Sequence, residues 1–69
     1  MTVRTLTALI HKEDVFFVAD CPETGTVSQG HSIEEALSNL KEATELYLEE
    51  FPHPETARPF LTTFEVTSA

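Results

Sequence analysis

Hydrophobic and polar positions alternate along "RTLTALIHKED", with Leu6, Ala8 and Ile10 on one side and Thr5, Thr7 and Leu9 on the other. A period of two in such residues predicts a strand. Lys12, Glu13 and Asp14 then form a polar break, and "VFFVADC" follows. This β-branched and aromatic run sets Phe16, Val18 and Asp20 on one face and Val15, Phe17, Ala19 and Cys21 on the other. The two segments predict an antiparallel hairpin. Pro22 has no amide hydrogen for a ladder and Gly25 closes a "PETG" turn, after which "TVSQ" predicts a short third strand.

From Ser32 the period changes. Ile33, Ala36, Leu37, Leu40, Ala43, Thr44, Tyr47 and Phe51 recur at spacings of three and four, which predicts an amphipathic helix of about five turns. Ser32 is its cap, accepting from the Glu35 amide while the Glu35 carboxylate reaches back to the Ser32 amide. Pro52 and Pro54 stop it. In "RPFLTTFEV" the period of two returns, with Phe60, Thr62, Phe64 and Val66 on one side, and predicts a last strand.

The expectation is an α+β fold: an antiparallel three-stranded meander, a helix packed on one face, then a fourth strand, in the order β-β-β-α-β. Leu6, Ala8, Ile10, Phe16, Val18, Leu37, Leu40, Tyr47 and Phe64 are its expected core, with the inward face a parity choice in each strand. Gly30 is expected to turn the chain sharply into the helix through a positive φ. With Pro22, Gly25, Ser32 and Glu35 it is read as structural punctuation.

Sixty-nine residues are expected to form one domain, residues 1–69, with no separate DNA-binding domain expected. Its net charge of -8, from four Lys/Arg and twelve Asp/Glu, repels phosphate backbones and points to a basic protein as partner. A core this small gains from self-association, so a homodimer or higher homo-oligomer is expected. One cysteine allows no internal disulfide, and neither a leader pattern nor a membrane-spanning run is present, so the expected location is the cytoplasm.

Candidate chemistry changes this picture little. Cys21 with His11 or His31 could form a thiolate pair, but a cysteine ending an apolar strand is more often a small buried hydrophobe. A zinc site from His11, Cys21, His31 and His53 lacks ligand spacing. Asp20 is the strand carboxylate on which a degenerate metal-dependent ribonuclease would rest, with Glu65 the other candidate, and two-metal chemistry needs several such groups. Glu34 and Glu35 at the helix start exclude a phosphate. No catalytic residue, metal or cofactor is expected.

The outer helix face is lopsided: Glu34, Glu35, Glu42, Glu45, Glu49 and Glu50 stand against the one cation, Lys41. Like charges at i,i+4 and acids at the negative helix end cost a few tenths of a kcal/mol per pair, roughly. Local stability did not select them. Two readings stand equally: a solvated face that keeps a small protein soluble, and a surface that steers a basic partner. On the second, Glu42, Glu45, Leu46, Glu49 and Glu50 are the candidate partner-binding residues, with Leu46 an apolar group among acids. Gln29 joins them as a polar side chain for which the fold gives no role.

The succession from Leu6 to Glu50 resembles the HicB-like antitoxin family. It carries a strand ending in proline, a turn, "SQG", a "SIEEA" helix start and a "YLEE" helix end. The matching positions are Ala19, Pro22, Gln29, Gly30, Ser32, Glu35, Ala36, Leu40, Ala43, Tyr47 and Leu48. The resemblance implies a partial ribonuclease H-like fold and a protein that neutralises HicA, a small basic toxin that cleaves messenger RNA. Beside it stand two alternatives, a stand-alone homo-oligomeric interaction protein and the degenerate ribonuclease.

Overall fold

The computed structural model describes residues 3–52 and 60–68. Three strands, β1 (Leu9–Glu13), β2 (Phe16–Cys21) and β3 (Thr26–Gly30), precede one helix, α1 (Ile33–Glu50). The sheet is antiparallel in the order β1-β2-β3, and α1 lies chiefly over β3 and then β2. This is the expected α+β meander with a helix on one face.

Turn chemistry sets the hairpin. Glu13 pairs with Phe16 across a two-residue turn, and Asp14 takes a φ of 56°, a left-handed conformation that a short polar side chain tolerates. β1 therefore runs through Lys12 and Glu13, later than the hydrophobic alternation predicts. Its ladder opens only at Leu9, because Leu9 faces Asp20 and the same register would set Thr7 opposite Pro22, which has no amide to donate. The Thr7 amide donates instead to both carboxylate oxygens of Glu23, at 3.1 Å each, and the Thr7 hydroxyl donates to Glu23 Oε2 at 2.8 Å. A side chain thus holds the N-terminal segment where a ladder cannot.

Register decides the inward face. Ile10, Ala19 and Ser28 make one row, and Lys12, Phe17 and Gly30 the next. Ala19, Cys21, Ala36 and Leu40 are buried together, with Leu6, Ala8, Ile10 and Phe17 packed against them. The expected core holds for Leu6, Ala8, Ile10 and Leu40 and fails for β2. Phe16 and Val18 point away from the helix, because the turn at Asp14 brings Phe17, Ala19 and Cys21 inward. Leu37 is exposed at the helix flank and Tyr47 is half-buried beside the exposed Phe51, their rings 5.1 Å apart.

Small side chains let the layers approach closely. Gly30 does so without a positive φ, which among the glycines belongs to Gly25. A Cβ at Gly30 would lie 2.6 Å from the Ala36 amide nitrogen and 2.9 Å from the Glu35 carbonyl carbon. Its role is space, and the sharp turn expected there is made by the chain around it. Gly25, at φ 78°, closes the β2–β3 turn by donating its amide to the Cys21 carbonyl at 2.8 Å.

The helix start carries the predicted cap: the Glu35 amide donates to Ser32 Oγ at 3.0 Å. The reciprocal bond shifts by one residue, since the Glu35 carboxylate accepts from the His31 amide at 2.6 Å rather than from Ser32. Phe51 ends the helix, donating its amide to Tyr47.

The expected fourth strand does not form among the described residues. Its first two positions, 58 and 59, lie outside them, as does His53, and residues 60–68 carry no ladder. A strand needs paired amides as well as alternation, and among the described residues this segment has no neighbour to pair with.

Candidate functional site

The sheet and the helix present three surfaces. On the outer helix face, Glu42, Leu46 and Glu49 lie one turn apart on the side away from the buried Ala36–Leu40–Thr44 stripe. Glu34, Glu45 and Glu50 are exposed near them, Leu46 is 57% exposed, and no base stands in the last helical turn. Glu35 is partly withdrawn from this face. The His31 amide and ring hold its carboxyl below the ordinary value, against a small opposing effect of burial.

The second surface is the face of the sheet away from the helix. Leu9, Asp20 and Val27 form one row across it, and His11, Val18 and Gln29 the next. Gln29 therefore lies on the opposite side of the sheet from the helix acids, and the six candidate residues do not form one surface. The Gln29 carbonyl accepts from Asn39 Nδ2 at 2.9 Å, while its side chain is exposed. His11 contacts Glu13 at 2.9 Å through Nε2 and Asp20 at 4.0 Å through Nδ1. Phe16 lies beside His31, ring centroids 5.0 Å apart. No sequence motif marked this face, and only the strand register assembles it.

The third is a groove of about 800 Å³ between residues 3–8 and α1, lined by Leu6, Ala8, Leu37, Leu40, Thr44 and Leu48 among others, with Arg4 and Lys41 on it. It exists because the helix sits over β3 and β2 and leaves the β1 side uncovered.

The other sequence candidates scatter. Cys21 is buried on the helix side, its thiol 3.5 Å from Glu23 Oε1, whereas His11 is on the far side of the sheet. Among the described residues no group of three His, Cys, Asp or Glu could hold a metal ion. Burial acts to raise the Glu23 carboxyl, but the Thr7 hydroxyl and amide, its own amide and the Cys21 thiol outweigh it and hold the group below its ordinary value. Thr44, buried in the helix stripe, joins hydroxyls with Thr26 at 2.7 Å, and Thr26 with Thr24 at 2.7 Å. These groups tie elements together.

A UPF0150 protein of Helicobacter pylori strain J99 is 47% identical over 53 residues, which are 75% of this chain and 74% of that protein. The chain belongs to the UPF0150 family. No family model matches it, nor does any solved structure. The family name states no activity, so a functional reading of this UPF0150 chain rests on its own surfaces. Among the described residues no helix is long and apolar enough to cross a membrane.

Proposed function

We propose that this chain is an antitoxin of the HicB-like kind, which binds a small, basic, mRNA-cleaving toxin of the HicA type in the cytoplasm and performs no catalysis itself. The observation that carries the reading is the outer face of α1, where Glu42, Glu45, Glu49 and Glu50 surround the exposed Leu46. These acids lower helix stability, so folding of the helix does not account for them. The resemblance of residues 6–50 to HicB-like antitoxins supplies the partner's nature.

The mechanism is occlusion. A ribonuclease holds its substrate on positive charge, and an acidic face seated there displaces the RNA phosphates and covers the catalytic group. Complementary charge accelerates encounter, and burial of Leu46 at the centre of the contact slows release. The net charge of -8 adds long-range attraction toward a basic protein.

The test is coexpression with the short basic HicA-type proteins of the same genome, above all one encoded beside this chain. The expected result is a complex that survives purification and abolishes RNA cleavage by the toxin. Failure to bind any of them overturns the reading. Within the complex, the double reversal of Glu45→Lys and Glu49→Lys should lower the association rate at least tenfold at low salt.

A further inference from the structure

We propose that residues 60–68 of one copy dock as a strand on the groove of a second copy, between its residues 3–8 and its helix, and that the exchange is reciprocal. The inference does not rest on the antitoxin reading, which concerns the outer face of the helix, although Glu45 borders both surfaces.

The first observation is the segment itself. It alternates Phe60, Thr62, Phe64 and Val66, and Phe60 is fully exposed, Phe64 85% and Val66 77%. Single exposed apolar residues are ordinary, but a strand-patterned row of them, with unpaired amides, is a surface made to be covered. The radius of gyration is 14.0 Å, against about 11 Å for a compact chain of this length. Residues 60–68 are exposed throughout and add nothing to the core.

The second is the groove, which matches it. Nine extended residues span about 30 Å. Beside the helix, β1 offers a free sheet edge, since the strand order places it outermost. A strand laid in the groove, along residues 3–8 that lead into β1, can turn its even-numbered residues toward Leu6, Ala8, Leu37 and Leu48. Among the described residues the buried hydrophobic side chains are Ala19, Cys21, Ala36 and Leu40, with Leu6, Ala8, Ile10 and Phe17 still partly exposed against them, so the core gains from added aromatic rings.

Charge selects a second copy over a basic partner. The chain carries -8, yet Arg4 and Lys41, two of its four cations, both line this groove, balanced by Glu34 and Glu45. Residues 60–68 contain one acid, Glu65. The two parts of an acidic molecule that can meet another acidic molecule without repulsion are thus the segment and the groove. A two-fold axis lets each copy give one segment and receive one.

The experiment uses the full chain, measured by sedimentation across concentration, with an equal mixture of isotope-labelled and unlabelled protein for intermolecular NMR contacts. A dimer is expected, with contacts from Phe60 and Phe64 of one copy to Leu37 and Leu48 of the other. The double variant of Phe60→Glu and Phe64→Glu should weaken it at least about 30-fold. Leu37→Glu should do the same from the groove side, and Leu46→Glu on the outer helix face should not. Because Phe60 and Phe64 are exposed, the double variant should keep the helical circular dichroism of the parent. A monomer at all concentrations overturns the proposal, as does a dimer indifferent to Phe60 and Phe64. Contacts confined within one chain, showing that the segment closes on its own groove, would overturn it too.

Discussion

Gly30 and Gly25 are two glycines with different reasons to be glycine. At Gly30 an added methyl would press on backbone atoms of α1, which cannot swing aside as a flexible side chain could. Gly30→Ala should therefore cost about 1–3 kcal/mol as the helix is forced off the sheet. Gly25 has open space around it but a φ of 78°, so Gly25→Ala should cost about 1 kcal/mol through backbone conformation alone. Urea titration of the two variants checks the order. Glu23 carries the acid sensitivity of the N-terminal segment. Its carboxyl is held below the ordinary value in the folded protein, so its contribution is present above the unfolded value of about 4.3 and is lost as the pH falls through the folded one. Melting temperature followed from pH 6 downward should fall less steeply in Glu23→Gln than in the parent over that acid window.

At the scale of elements, α1 is well begun and poorly ended. Ser32→Ala removes the oxygen that receives the Glu35 amide and should lower stability by about 1 kcal/mol. At the other end Glu49 faces Glu45 one turn back and lies at the negative pole of the helix. Glu49→Lys should then raise thermal stability slightly, by a few tenths of a kcal/mol, roughly, while slowing association with a basic toxin. The opposite signs are the useful part of this prediction. If both stability and binding fell, Glu49 would be structural and its place in the binding face would be lost. The hairpin is more robust, because the two-residue turn at Asp14 and the pairing of Glu13 with Phe16 fix its register from within.

For the whole molecule, the two proposed contacts respond to salt in opposite directions. Attraction between an acidic chain and a basic toxin weakens as the screening length shrinks from about 30 Å at 0.01 M to about 8 Å at 0.15 M. Self-association of a chain with net charge -8 is opposed by repulsion over the same range, so the homodimer should tighten as salt rises. Dissociation constants at the two ionic strengths separate the surfaces without any mutation. A homodimer weakened by salt would mean that ion pairs, and not Phe60 and Phe64, carry the contact.

The alternation and the change of period were enough to place three strands, one helix and its Ser32 cap, because these depend on spacing and on neighbours within four residues. Leu46 among acids was legible for the same reason: helical spacing alone puts it opposite the core. The inward face of β2 was not, since Phe16-Val18 and Phe17-Ala19-Cys21 are both apolar and only the turn at Asp14 chooses between them. Nor was the reason for Gly30, a close approach between segments that meet only when the helix folds back. Nor was the side of Gln29, which the pairing of β3 with β2 sets on the face of the sheet opposite the helix acids. The last strand shows the boundary most plainly. Phe60, Thr62, Phe64 and Val66 specify a strand, but pairing is a relation between two segments, and no segment within the described part of this chain supplies the other half.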